Sequence, residues 1–514
     1  MLPTSPAPQP PFVLSLDIGT SSARALLFDC QGQAVNGVNS RREYHIPTRS
    51  DGAVEVDADQ LLGYIGECLD EILVKADQIA SSIIAVATCT FVSSLVGVDQ
   101  AGLAITPLIT YADTRAAADA VSLRQMLDEE TIHQVTGCHF HPTYLPARFL
   151  WLAREHPALF KQGGTGGSGE TGRSGGTGSS GVHWMSIGEY LALRLFGETA
   201  VSYSVASWTG LLNHYELTWD RTVMSVLPIT TANLSRLQDA DVPFQGLRHE
   251  FAARWPALSK IPWFPAIGDG AAANLGSGCV SPHQVAISLG TSSAIRVVMV
   301  GEAPPVPKGL WRYRVDRRRA LLGGAMSEGG NLFAWLKNIL NLNDVNDLEI
   351  ALAASIPDKH GLTFLPLVSG ERSPGWRAEA RAALAGLSLA TTPLDILQSG
   401  LEGITYRLAN IFNLLTPLLT GQVEVIASGG AFLHSPAWLS ILADALGQPV
   451  KASLVVEPSA RGVALQAFEA LHILDFSQAP TFTGQPHLPN PERHAIYQKA
   501  IQRQQDLYQD LYNA

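Results

Sequence analysis

Residues 12–16 form a short apolar run, residues 17–22 read Asp-Ile-Gly-Thr-Ser-Ser, and residues 25–28 are apolar again before Asp29. Strand, tight turn and strand is the reading, a β-hairpin that opens a sheet. Between 61 and 73 the apolar residues recur at helical spacing, which predicts an amphipathic helix. Residues 83–87 and 94–98 predict two further strands. Strands alternating with helices place the chain in the α/β class.

The opening pattern returns later in the chain. Leu-Asp-Ile-Gly-Thr-Ser-Ser-Ala at 16–23 aligns with Ile-Ser-Leu-Gly-Thr-Ser-Ser-Ala at 287–294, each with an apolar strand on either side of the turn. Two copies, far apart, indicate a duplicated domain rather than a solenoid. Duplication predicts two similar domains flanking a cleft. The predicted organisation is a tail over 1–11, a first domain over 12–262 and a second over 263–514. Residues 163–181 are almost wholly Gly, Ser and Thr, which predicts a flexible insertion in the first domain. Gly164, Gly166 and Gly169 spell GxGxxG there, and 172–176 spell GxSxG. Neither follows a predicted strand, which both phosphate-binding and nucleophile motifs require.

Composition narrows the classes. Of 514 residues, 46% are hydrophobic and 16% charged, enough apolar material for large cores and against wholesale disorder. A formal net charge of −11 lacks the basic footprint of a nucleic-acid binder. The five cysteines, Cys30, Cys68, Cys89, Cys138 and Cys279, are scattered and include no CxxC pair, which fits a reducing compartment rather than a disulfide framework. The Pro-rich start does not read as a secretory signal. No uncharged apolar run reaches about 18 residues, so no membrane span is predicted. The expected location is the cytoplasm.

Chemistry concentrates in the turns. A Gly-Thr-Ser-Ser turn offers backbone N–H groups and hydroxyls that suit phosphate, and glycine lets the backbone come close. The candidates are Gly19, Thr20, Ser21 and Ser22 in the first copy and Gly290, Thr291 and Ser292 in the second. Asp17 in the first copy is matched by Ser288 in the second. An Asp there can hold a hydrated Mg²⁺ or cap the turn. Asp269, between Gly268 and Gly270 and before a predicted helix, suits an N-cap or a general base equally well. Ser428-Gly429-Gly430-Ala431, after an apolar run, reads as an adenine pocket or a tight strand-to-helix turn. Walker A, kinase HRD and DFG, HExxH and zinc-ligand spacings do not occur.

Taken together, these segments resemble the FGGY carbohydrate kinases of the actin/hexokinase/heat-shock-70 superfamily. The resemblance runs from about Val13 to about Ala470. Residues 16–24 look like the family's first phosphate motif and 288–293 like its second. Tyr111-Ala112-Asp113-Thr114-Arg115 looks like the substrate-side element, and 142–152 is similar to the first signature, with Arg148 where Lys is usual. Gly268-Asp269-Gly270 resembles the catalytic-base motif. Gly370-Glu371-Arg372-Ser373-Pro374-Gly375-Trp376 resembles the second signature, and Ser428-Gly429-Gly430 the adenosine motif. The resemblance implies two ribonuclease-H-like domains, Mg²⁺ and ATP as cofactors, and a sugar or sugar acid as partner. It implies Asp269 as general base, Asp17 with Asp269 at the metal, and Gly429, Gly430 and Ala431 beside adenosine. A homodimer is left open.

For the sugar, 88–95 aligns with the family's sugar-contacting segment, with Val92 and Ser93 where Met or Trp and His are common. Ser93, Asp113, Arg115 and Asp269 are the expected substrate contacts. Residues 111–116, 268–278, 327–335 and 371–376 look closest to the gluconokinase branch. Arg115 offers a cation to a gluconate carboxylate, or forms a structural salt bridge with Asp113. Xylulose or ribulose kinase is the alternative within the class. A catalytically degenerate sugar binder, or an actin-like ATP-binding protein, is the alternative outside it.

Overall fold

The structure, a computed structural model, describes residues 8–160, 181–302, 304–342 and 348–512. The predicted insertion lies outside the described residues except for Gly181, and both motifs spelled by its composition lie outside them with it. Residues 1–7 of the predicted tail do so too. The chain falls into two packed units. The first takes residues up to Gly276 together with Arg312–Ala320 and Glu457–Pro480. The second takes Ser277–Trp311, Leu321–Val456 and the chain from Thr481 onward.

The first unit is built on a sheet of β1 (Phe12–Ile18), β2 (Ser22–Phe28), β3 (Ala34–Glu43), β4 (Ile83–Thr90) and β5 (Ile267–Gly268). Their order is β5-β4-β1-β2-β3. β1 is antiparallel to β2 and parallel to β4. Every residue of β1 is buried, which is why it reads as a continuous apolar run instead of an alternation. Helix Ala58–Ala76 is capped by Asp57, whose carboxylate accepts from the backbone N–H of Asp59 and Gln60. Its stripe of Leu61, Ile65, Leu69 and Ile72 faces the core. Each such burial contributes about 1.5–3 kcal/mol. The strand expected over 94–98 is confined to Val96–Val98. The backbone bends at Val92 and Ser93, and Ser93 adopts a left-handed φ of 54° that no strand accommodates.

The second unit repeats the plan. β6 (Gln284–Leu289), β7 (Ser293–Val300), β8 (Arg319–Met326), β9 (Glu424–Ser428), β10 (Val450–Ser453) and β11 (Thr483–His487) lie in the order β8-β7-β6-β9-β10-β11. β6 is antiparallel to β7 and parallel to β9, as β1 is to β2 and β4. The duplication read from two eight-residue echoes therefore extends to strand order. The core centres on helix Pro393–Leu415, opened by a Thr392/Asp395 capping box and buried at Leu397, Leu401, Ile404, Leu408 and Ile411.

One contact in the first unit joins distant parts of the chain. Helix Asp269–Gly276 packs against helix Pro458–Ala470 so closely that glycine is required on both sides. A β-carbon on Gly462 would lie 1.9 Å from the Ala272 carbonyl oxygen, and one on Gly276 would lie 1.8 Å from that of Pro458. Beside the crossing, buried Arg461 donates to the carbonyl oxygens of Gly276 (2.5 Å), Gly32 (3.0 Å) and Pro480 (2.6 Å). Burial pushes its pKa down to about 10. Among the described residues no helix is long and apolar enough to cross a membrane, and the five cysteines are free thiols.

The crossing makes a prediction against helix propensity. Gly→Ala inside a helix ordinarily stabilises by about 1 kcal/mol. Here Gly462→Ala drives a methyl into backbone, and overpacking of this kind costs about 1–3 kcal/mol. The expected outcome is a lower urea midpoint with unchanged slope. A midpoint above wild type would show that the helices separate without cost.

Candidate functional site

The two Gly-Thr-Ser-Ser turns have different geometries. In the first, Ile18 pairs with Ala23 and the Gly19 N–H donates to the Ser22 carbonyl at 3.0 Å. In the second, Leu289 pairs with Ser293 and the Gly290 N–H donates to the Ser292 carbonyl at 3.0 Å. The second loop is thus one residue tighter, and the cross-strand partners differ. Asp17 faces Arg24, whereas Ser288 faces Ala294 and accepts instead from Arg296 at 2.9 Å.

Asp17 ends β1 in a buried, acidic setting. Its Oδ1 accepts from the Cys89 thiol at 3.3 Å and its Oδ2 lies 3.5 Å from an Arg24 nitrogen. The same Arg24 nitrogen bonds Glu457, and Arg24 Nε donates to Ser22 Oγ at 3.0 Å. Burial raises the Asp17 pKa to about 6, against the pull of Arg24 and Cys89, and the charges of Asp269 and Glu457 raise it further. The structure thus sets Asp17 within electrostatic reach of Asp269 and Glu457, with Arg24 between Asp17 and Glu457. The Tyr44 hydroxyl donates to the Gly19 carbonyl and holds the turn from the side. Asp269 is the first residue of its helix, and its Oδ1 accepts from the Gly270 N–H at 2.7 Å.

The sugar-side candidates form a separate network in the same unit. Ser93 turns its hydroxyl to the Trp208 carbonyl at 2.6 Å, and Arg148 donates to the Ser93 carbonyl. Buried Asp113 accepts from the backbone N–H of Val54 (3.1 Å) and Arg115 (3.0 Å). The salt bridge left open in the sequence is formed: Arg115 NH2 lies 2.6 Å from Asp113 and 2.7 Å from Glu55. Its guanidinium stacks 4.4 Å above the Trp151 ring. Arg115 NH1 has no hydrogen-bond partner among the described residues. Arg148 is fully buried and, among the described residues, donates to the carbonyl oxygens of Pro142 (3.0 Å) and Ser93, and burial pushes its pKa down to about 10.

In the second unit, Gly290, Thr291, Gly430 and Ala431 line one cavity of about 630 Å³, a size suited to a small-molecule ligand. Ser292 and Gly429 support it from the backbone. Gly429 takes φ 100°, and a β-carbon there would lie 2.4 Å from the Leu289 carbonyl. The Gly330 N–H donates to the Gly290 carbonyl at 2.7 Å, tying the turn to helix Gly330–Ile339. Phe333, Leu348, Leu352 and Trp438 supply apolar wall.

Sequence reasoning placed Arg24, Cys89 and Phe333 inside motif segments without a role of their own, and passed over Glu457, Lys337 and Trp438. Glu457 stands before Pro458 at a helix start and carries no motif of its own. Spacing also gave no sign of the Asp358, His360, Glu402 cluster in the second unit. His360 Nδ1 accepts from the Leu362 N–H at 2.9 Å, so Nε2 carries the proton and donates to Glu402 at 3.1 Å. Glu402 also accepts from Gln398 and Tyr406.

Residues 12–276 match the FGGY family of carbohydrate kinases, N-terminal domain, and residues 285–471 match the C-terminal domain of that family. A gluconokinase of Bacillus licheniformis is 24% identical over 504 residues, covering 95% of this chain and 94% of the relative. A glycerol kinase of Aromatoleum aromaticum is 29% identical over 466 residues, covering 89% of each. The crystal structure of gluconate kinase from Lactobacillus acidophilus superposes with a TM-score of 0.86 at 24% identity, covering 97% of this chain and 98% of that one.

The Asp17 setting predicts a pH-dependent gain on neutralisation. Its folded pKa of about 6 lies above the ordinary 3.8, so the folded state holds this proton more tightly than the unfolded chain. Ionisation therefore costs stability as pH rises from about 4 to about 6, on the order of 3 kcal/mol in all. In metal-free buffer Asp17→Asn is expected to unfold at higher urea than wild type at pH 7, with the gap closing below about pH 4. Equal midpoints at pH 7 would mean that the buried carboxylate is not under strain.

Proposed function

The chain belongs to the FGGY family of carbohydrate kinases, and we propose that it uses ATP and Mg²⁺ to phosphorylate a hydroxyl of a sugar acid, gluconate or a close analogue. The observation that carries the choice of substrate is the likeness to a gluconokinase over nearly the whole of both chains. The Arg115 geometry agrees with it. Two of its nitrogens are fixed by Asp113 and Glu55, which leaves NH1 for a carboxylate, and Arg–carboxylate bonds are among the stronger hydrogen bonds. On this reading Ser93 and Asp113 shape the sugar side by fixing Trp208 and Arg115.

Asp269 is the proposed general base. Its carboxylate sits at a helix N-terminus whose other end is locked by Arg461 and the Gly276–Gly462 contact, so its position is set by backbone packing. It takes the proton of the attacking hydroxyl. The donor set also fits Mg²⁺. Asp17 and Asp269 are hard oxygen ligands, and a cation would offset both the burial and the neighbouring charges that raise Asp17. When bound there, Mg²⁺ neutralises charge on the transferring phosphoryl group. Gly19, Thr20, Ser21 and Ser22, with Arg24, would bind phosphoryl oxygens through backbone N–H, hydroxyl and guanidinium donors. In the second unit Gly290, Thr291 and Ser292 would bind nucleotide phosphate, and Gly429, Gly430 and Ala431 would border the adenosine. Catalysis is then mostly positioning and charge neutralisation.

The test is ADP release with Mg-ATP against gluconate, xylulose, ribulose and glycerol, beside Asp269→Asn. Turnover with gluconate above the others is expected, and the variant should lose about 10²–10⁴-fold in kcat. Best turnover with a neutral sugar would replace the sugar-acid reading with the xylulose or ribulose alternative.

A further inference from the structure

Helix Pro458–Ala470 meets the residues of the first unit's site at its start as well as along its length. Ser15 Oγ, on β1 two residues before Asp17, donates to the Ala460 carbonyl at 2.7 Å. Ser459 Oγ donates to the Asp269 carbonyl at 3.4 Å. A β-carbon on Gly276 would lie 1.8 Å from the Pro458 carbonyl, so the first turn of this helix has no slack. Glu457 stands immediately before that turn and belongs to the first unit with it. Its backbone is therefore placed by contacts to β1, to Asp269 and to Gly276.

The Glu457 side chain reaches Arg24. Arg24 Nη1 lies 2.5 Å from Glu457 Oε2 and 3.5 Å from Asp17 Oδ2, and Arg24 Nε donates to Ser22 Oγ at 3.0 Å. Among the described residues Nη2 has no hydrogen-bond partner. The ion pair is partly exposed, so it adds little to stability. What it supplies is direction. A guanidinium already held at Nε and Nη1 presents its remaining edge to a ligand with less conformational freedom to lose. With Mg²⁺ on Asp17, as read above, Glu457 is the carboxylate left to hold Arg24.

We propose that Glu457 is a positioning residue for phosphoryl transfer: it holds the Arg24 guanidinium against Ser22 of the first Gly-Thr-Ser-Ser turn, so that Nη2 meets a phosphoryl oxygen of the nucleotide. One helix start then places two groups, the base through the glycine crossing and the phosphate-binding arginine through Glu457. The proposal rests on the reading of Arg24 as a group that binds phosphoryl oxygen, and it adds a residue that acts only through Arg24.

Two readouts on the full chain test this. One is the dissociation constant of the magnesium complex of AMP-PNP, a non-hydrolysable ATP analogue, by calorimetry. The other is kcat/KM for Mg-ATP with the panel sugar that turns over fastest. Glu457→Ala is expected to weaken the analogue about tenfold and to lower kcat/KM about 10²-fold, the cost of a misplaced group. Glu457→Gln, whose amide oxygen still accepts from Nη1, should recover most of both losses. Arg24→Ala should lose at least as much as Glu457→Ala, and adding Glu457→Ala to it should cost nothing more. Losses that add in the double variant overturn the proposal. So does a Glu457→Gln as impaired as Glu457→Ala, or a Glu457→Ala that binds the analogue as tightly as wild type or more so. Arg24→Ala without effect on either readout would instead overturn the reading of Arg24 as a phosphate-binding group.

Discussion

The close crossing of helices Asp269–Gly276 and Pro458–Ala470 is the constraint on which the first unit depends. Where backbone meets backbone at under the reach of a β-carbon, there is no side chain to repack and no slack to absorb a shift. Asp269 therefore inherits its position from glycine geometry some two helical turns away. Arg461 adds a charged clamp to the same place, joining the end of the Asp269 helix, the β2–β3 turn and Pro480 through their carbonyl oxygens. A buried guanidinium is costly to desolvate, and its cost is offset by three segments held at once.

The duplicated hairpins show how one backbone plan serves two tasks. The first turn keeps four residues between its last paired positions and sets an aspartate opposite an arginine at the strand ends. The second keeps three and carries serine where the first has aspartate. A one-residue change in register alters every cross-strand partner. The acidic copy gathers three carboxylates that repel one another. The neutral copy opens onto a cavity with an apolar wall.

Much of this was legible in the sequence because it is written in local patterns. The hairpins, the helix over 61–73 and the strand before Ser428 follow from hydrophobic periodicity and Gly-rich turns, and the observed helix extends three residues beyond the pattern at each end. The echo at 287–294 announced a second copy of the sheet. Roles that need distant partners were not legible. Glu457 matters because it meets Arg24, which no spacing reveals. The left-handed φ of Ser93, just before the expected strand, is invisible to polarity patterns. Arg115 was readable as two things until the positions of Asp113 and Glu55 were known. Boundaries drawn along the chain also cannot express a segment such as Glu457–Pro480, which leaves the second unit and packs in the first.

That returning segment bears on how the protein is made. During synthesis the strands of the first sheet and the Asp269 helix emerge early, whereas the helix that fixes them is translated only after most of the second unit. Contacts of such long sequence separation form late and slowly. Until they form, the small-residue face of the Asp269 helix, with Gly270, Ala271 and Ala272, has no cover. The nascent chain must therefore carry an incomplete first unit while it builds the second, a stage at which exposed apolar surface invites association with other chains. Placing the proposed base under the control of a late-made part of the chain means that the first unit is not complete until most of the second has been made.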